Sequence, residues 1–211
     1  VSGPVTNWYI DGFNLYYRLL RGHVPGKWLD LEALARTVFP ADTIGAIKYF
    51  TARIKALDDP QAPQRQQVYL EALGTLPRVE IHLGFFQINR RLRRLADPRP
   101  DGPTAVEVML AEEKGSDVNL ATHLVADAAT RACERAVVVT NDADLAEPIR
   151  MATHTFGAYT VLLHPSDAPA KVLVNAGPSE VQRLWRSTVL KAQFPDVVGA
   201  GRRRITKPED W

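Results

Sequence analysis

Hydrophobic and polar positions alternate between two periods along the chain, and the switches mark its elements. Val5 to Ile10 is a short β-prone run that ends at Asp11-Gly12, and a helical stretch follows from Asn14 to Leu20. Ile44 to Ile54 holds a second strand, rich in β-branched and aromatic residues. Turn residues from Asp58 to Pro63 separate it from a helix over Gln64 to Leu76. Val79 to Phe85 reads as a third strand, and Pro98, Pro100, Gly102 and Pro103 mark a loop before a short strand over Ala105 to Leu110. Val118, Ala121, Val125, Ala128, Ala129 and Ala132 recur at helical spacing, with Ser116 or Asp117 as the expected cap. Cys133 falls in the same helical-looking stretch.

Ala136 to Thr140 is a continuous apolar run, the pattern of a central strand covered on both faces. Leu145 to Thr153 predicts a helix, Tyr159 to Leu163 a strand, and Ser179 to Lys191 a last helix. Gly199 to Trp211 is polar, basic and expected to be extended. Strands alternating with helices predict an α/β fold with a mainly parallel sheet. A domain over residues 5–197 and a basic tail over residues 198–211 are expected.

Composition changes this picture little. Of 211 residues, 45% are hydrophobic and 24% charged, enough apolar material for a core. The net charge of +2 does not announce a nucleic-acid binder, but the arginines cluster, at Arg90, Arg91, Arg93 and Arg94 and again at Arg202 to Arg204. A single cysteine allows no internal disulfide and no cysteine-based zinc site, which fits a reduced, cytoplasmic setting. The apolar runs are too short to span a bilayer, so no membrane partner is expected.

Candidate chemistry lies at the ends of elements. In parallel sheets, ligands bind outside the carboxyl ends of the strands. Asp11 ends the first strand, and Asp142 follows the central strand in Thr140-Asn141-Asp142-Ala143-Asp144. Asp117 opens a helix after Lys114, where the helix dipole favours a carboxylate. Asn14 stands one turn beyond Asp11. Several acids in one crevice would repel one another unless they held cations with a taste for oxygen. The chain has no phosphate-binding G-x-x-x-x-G-K-[ST], no G-x-G-x-x-G and no G-x-S-x-G.

Three runs carry a resemblance: Tyr9-Ile10-Asp11-Gly12-Phe13-Asn14, Glu113-Lys114-Gly115-Ser116-Asp117-Val118, and Thr140-Asn141-Asp142-Ala143-Asp144-Leu145. In order and spacing they resemble the NYN family, a branch of the PIN-like nucleases. The resemblance implies a PIN-like three-layer α/β fold and divalent-metal-dependent cleavage of RNA phosphodiester bonds. It implies Asp11, Asp117 and Asp142 as ligands of Mg²⁺ or Mn²⁺, with Asp144 as a nearby acid. Asn14 and Lys114 would support that catalytic centre. Thr140 and Asn141, with Arg90, Arg91, Arg93 and Arg94, would contact RNA, and Phe86 could stack on a base while Phe85 packs in the core. An RNA-binding regulatory module with a weak metal site, or a DNA- or flap-directed nuclease, is the alternative, and a homodimer is open. His123 stands where many relatives carry an Asp; it is expected to be structural, with Asp127 as its i+4 partner.

Overall fold

A computed structural model describes residues 3–22, 25–56, 59–199, 204–209 and 211. Arg202 and Arg203 lie outside the described residues, as does Asp58 of the expected loop.

The elements follow one another as β1 (Val5–Asp11), α1 (Gly12–Leu15, continuing as a wide turn over Tyr16–Leu20), α2 (Leu31–Val38), β2 (Thr43–Ala52), α3 (Ala62–Leu73), β3 (Val79–Arg94), β4 (Ala105–Lys114), α4 (Ser116–Thr130), β5 (Arg135–Val139), α5 (Ala146–Arg150), β6 (Tyr159–His164), α6 (Lys171–Asn175), β7 (Glu180–Arg183), α7 (Arg186–Lys191), β8 (Val197–Val198) and β9 (Ile205–Thr206). The main sheet has seven strands in the order β4-β3-β2-β1-β5-β6-β7. Its pairs are parallel except β3 with β4. The expected three-layer α/β fold with a mainly parallel sheet is therefore what the chain adopts.

The layers follow from the two-residue period of a strand. Trp8 and Ile10 of β1, Val137 and Val139 of β5, and Val161 and Leu163 of β6 bury into one core with Leu31, Leu34, Leu70, Leu73 and Val189. The alternate residues Tyr9, Ala136, Val138 and Leu162 bury into a second core with Leu120, Leu124, Ile149 and Leu173. Helices thus cover both faces of the central strands, and those strands need be apolar at every position. Asp30 caps α2 by accepting the Ala33 N–H at 2.8 Å.

Three expectations change, and the terminal segment, expected to be extended, is extended in part as β9. β3 continues through the arginine run to Arg94 and pairs with β4 along that length, because alternating side chains let a polar ribbon remain extended. The stretch read as one helix from Ser179 splits into the edge strand β7 and the short α7. Cys133 lies beyond the end of α4, outside any helix. The terminal segment returns to the body: β9 pairs with β8, and the Trp211 ring lies 5.6 Å from Tyr69 and 6.4 Å from Trp28. Among the described residues, no helix is long and apolar enough to cross a membrane.

Candidate active site

The parallel register carries β1 and β5 to the same edge, with Ile10 beside Val139, so the residues after both strands meet. Asp11 is 4% exposed. One of its oxygens accepts the Asn14 N–H at 2.9 Å and caps α1, and the other accepts the Thr140 hydroxyl at 3.0 Å. The Asn14 side chain accepts the Asn141 N–H at 2.9 Å, a second tie between the two strand ends. Asp142 caps the next turn by accepting the Asp144 N–H at 3.0 Å.

Burial raises the Asp11 carboxyl, the two local hydrogen bonds lower it, and the neighbouring Asp117 and Asp142 raise it further. The result is a carboxyl pushed up to about 7. Asp117 is raised as well, first by burial and then by Asp142, Glu113 and Asp144. Asp11, Asn14, Glu113, Asp117 and Asp142 line one open pocket with Phe86. The sequence reading of a shared crevice thus holds for Asp11, Asp117 and Asp142. Asp144 is exposed at its margin.

Other expected members are placed differently. Lys114 pairs with Glu112 at 3.4 Å, because alternation along β4 puts those two on one face, and it does not stand against Asp117. Thr140 is fully buried with its hydroxyl committed to Asp11, so it offers nothing to RNA. The Asn141 amide braces the following loop, donating to Ala168 O and accepting from Ala170 N. Glu113 holds the start of α4, accepting both the Ser116 N–H and its hydroxyl, where Ser116 or Asp117 was the expected cap. Phe85 is 62% exposed rather than in the core. Asp127 accepts Tyr9 OH and Lys48 Nζ, each at 2.6 Å, while His123 lies against Lys48 and His82, so the expected His123–Asp127 pair gives way to a stronger charge pair.

Hard oxygen donors gather at this edge, yet among the described residues no three His, Cys, Asp or Glu side chains are grouped to hold a metal ion.

A second cavity of about 370 Å³ adjoins the acidic pocket and shares Phe13, Tyr17, Arg21 and Phe86 with it. Sequence reasoning missed it, because its walls come from distant segments. Tyr16, Tyr49, Tyr69 and Trp211 give it an aromatic lining beside Gly12, and Lys27 and Lys55 add cationic groups. Phe13 packs edge-on against Phe86 at 5.8 Å, at the junction of the two halves. The whole is an aromatic slot with cations on its wall and the buried Asp11 carboxyl at one end. It suits a planar ring that carries an acid arm.

No family model matches the chain. A crystal structure of a protein of unknown function from Vibrio parahaemolyticus superposes with a TM-score of 0.54 at 13% identity, covering 87% of this chain and 94% of that one, a likeness of fold. A curated relative, the 6-hydroxy-3-succinoylpyridine 3-monooxygenase HspA of Pseudomonas putida, is 31% identical over 236 aligned positions, spanning 98% of this chain and 75% of that protein. The relative is an enzyme, as expected of this chain, but its named reaction is oxygenation. That finding overturns the expected metal-dependent hydrolysis of RNA, together with the regulatory-module and DNA- or flap-directed alternatives. A carboxylate cluster at a parallel-sheet edge is a position that many chemistries use, and position alone does not choose among them.

Proposed function

The chain belongs to the family of 6-hydroxy-3-succinoylpyridine 3-monooxygenase HspA, and we propose that it is a monooxygenase acting on a hydroxylated aromatic or pyridine-type ring that bears a carboxylate arm. The observation that carries this reading is the relative's 31% identity across 98% of the chain. The cleft supports it. Tyr16, Tyr49, Tyr69 and Trp211 offer ring faces and edges to a planar substrate, and Lys27 and Lys55 offer charge to its carboxylate.

Asp11 is the residue that would work on the ring hydroxyl. A carboxyl near pH 7 is suited to accept a proton at neutral pH and return it later. Taking the proton from a ring hydroxyl leaves an oxyanion whose electrons enrich the ortho and para carbons. A monooxygenase places one atom of O₂ on its substrate and releases the other as water, with two electrons from an external donor. The part played by this chain is to bind the ring, fix its arm, and set the charge on its hydroxyl. Thr140 and Asn14 hold Asp11 in place for that step.

The test is product analysis under isotopically labelled oxygen gas. The purified chain is supplied with 6-hydroxy-3-succinoylpyridine or a related hydroxy-aromatic acid and with a reduced nicotinamide or flavin as electron donor. The expected product carries one labelled oxygen, and Asp11→Asn lowers the turnover number. Absence of label from every hydroxy-aromatic acid, or a rate indifferent to Asp11→Asn, would overturn the reading.

A further inference from the structure

β3 and β4 run on past the body of the sheet. β3 pairs with β2 only as far as Gly84, and from Phe85 to Arg94 it pairs with β4 alone. At ~3.4 Å per residue, that stretch makes an arm roughly 30 Å long. A two-stranded ribbon without a further layer is marginal in water.

Residues paired across strands share a face, so Phe86, Ile88 and Leu92 of β3 lie on one side with Ala111 and Met109 of β4, flanked there by Glu113, Arg90, Glu107 and Arg94. Phe86 and Ala111 wall the acidic pocket, and the stripe leaves the cleft from there. Its outer part is bare: Leu92 is 73% exposed and Met109 63%. An apolar stripe on a projecting ribbon marks an association surface.

Charge says what covers it. On this face Glu113 sits at the base of the arm, next to Asp117 and Asp142, and Arg94 sits at its outer end, while Arg90 and Glu107 between them pair with each other at 3.9 Å. A surface acidic at one end and basic at the other complements itself when reversed, and reversal is what a twofold axis imposes. A single-stranded RNA would satisfy the arginines but leave Ile88, Leu92 and Met109 in water.

We propose that the arm is the interface with a second copy of this chain. Two arms lie antiparallel, apolar stripe on apolar stripe, and the Arg94 end of each copy reaches the acidic rim of the other's cleft. One face of such a ribbon measures about 30 Å by 10 Å, roughly 300 Å². A standard interface takes ~800 Å² per partner. The contact therefore continues from the arm onto the partner's cleft wall, where the charges match, and each cleft is completed in trans.

The test is the solution mass by light scattering and sedimentation across the micromolar range, with circular dichroism as the check on folding. The expected wild type has twice the chain mass. Leu92→Asp with Met109→Asp, both at exposed positions, gives a single-chain mass with an unchanged spectrum. Arg93→Glu with Arg94→Glu weakens association most at low salt, where charge is least screened. A wild type that stays monomeric throughout overturns the proposal. So does a dimer indifferent to the Leu92/Met109 pair, which would place the interface elsewhere. Capture of single-stranded RNA by a monomeric wild type, lost in the Arg93/Arg94 variant, would assign the arm to nucleic acid instead. Mass and RNA capture are read without any turnover, so the outcome is independent of the oxygenase reading.

Discussion

The Thr140 hydroxyl donates to Asp11 Oδ2 at 3.0 Å, across the junction between β1 and β5. The same hydroxyl oxygen accepts the Asp142 N–H at 3.0 Å. A fully buried threonine thus fixes one oxygen of the central carboxyl and the backbone of a second acid with a single group. Asn14 performs the equivalent task from α1, donating its N–H to Asp11 and accepting that of Asn141. Backbone and hydroxyl donors hold these acids in place, and burial, ahead of every neighbouring group, raises the proton affinity of Asp11.

Asp11 therefore makes stability depend on pH in a predictable sense. Its folded pKa of about 7 lies above the ordinary carboxyl value of 3.8, so the folded state holds its proton more tightly than the unfolded chain does. The stabilisation is complete below the unfolded value and is lost as pH rises through the folded one. At ~1.4 kcal/mol per pKa unit, the charged form costs on the order of 4 kcal/mol. Asp11→Asn cannot ionise, so its Tm should exceed that of the wild type above neutrality, with the gap closing toward mild acid. Thermal melts over that range check this; parallel curves for the two proteins would show that Asp11 does not titrate as described.

Gly12 leaves no room for a side chain. A Cβ there would meet Tyr49 Cζ and its hydroxyl oxygen at 2.7 Å and Phe50 O at 2.8 Å. The backbone oxygen cannot swing aside, so the turn that carries Asp11 would have to move. Gly12→Ala should cost ~1–3 kcal/mol of stability and should depress turnover at temperatures where the variant remains folded. Denaturation and initial rates measured on the same preparation separate the two effects. A fully active Gly12→Ala variant would mean that the position of this turn is not critical.

Much of this frame was legible in the sequence. The apolar run from Ala136 identified β5, and the acids after β1 and β5 pointed to the carboxyl edge where the structure places them. Local patterns also existed for α2, where Asp30 precedes Leu31, Leu34, Ala35 and Val38 at helical spacing, although that helix was not among those expected. The arm was hidden because Arg90, Arg91, Arg93 and Arg94 interrupt the apolar alternation that reveals a half-buried strand. The aromatic cavity was hidden for another reason: Tyr49, Tyr69 and Trp211 are far apart in the chain and meet only through the tertiary fold. Function was less legible still, since the same acidic edge suits hydrolysis and proton transfer alike.

On the opposite face of the sheet, Asp127 serves two buried donors, Lys48 Nζ and Tyr9 OH, both at 2.6 Å. Removing the carboxylate strands the ammonium with little water to solvate it. Asp127→Ala should destabilise the fold by ~3–5 kcal/mol. Replacing both members of the ion pair, Lys48→Met with Asp127→Leu, should recover a large part of that loss, because no uncompensated charge remains. Chemical denaturation of the single and double variants measures the coupling. Additive losses would show that the pair contributes no interaction of its own.

Trp211 and Asp11 occupy the two ends of the cleft and should separate binding from chemistry. The Trp211 ring packs 5.6 Å from Tyr69 and walls the aromatic cavity. Truncating it enlarges the slot and removes a ring contact that a bound aromatic makes equally in the ground and transition states. Such a loss raises KM and leaves kcat nearly unchanged. Trp211→Phe, which restores most of the surface, should recover most of the affinity. Asp11→Asn should behave in the opposite way: the slot is intact, so KM changes little, but the ring hydroxyl keeps its proton and kcat falls. The two effects should also differ across substrates. Removing the ring hydroxyl from the substrate should erase the difference between wild type and Asp11→Asn and leave the Trp211 effect in place. Steady-state rates for the three variants on paired hydroxylated and unhydroxylated acids supply the comparison, and a Trp211→Ala enzyme with an unaltered KM would remove the aromatic cavity from the substrate path.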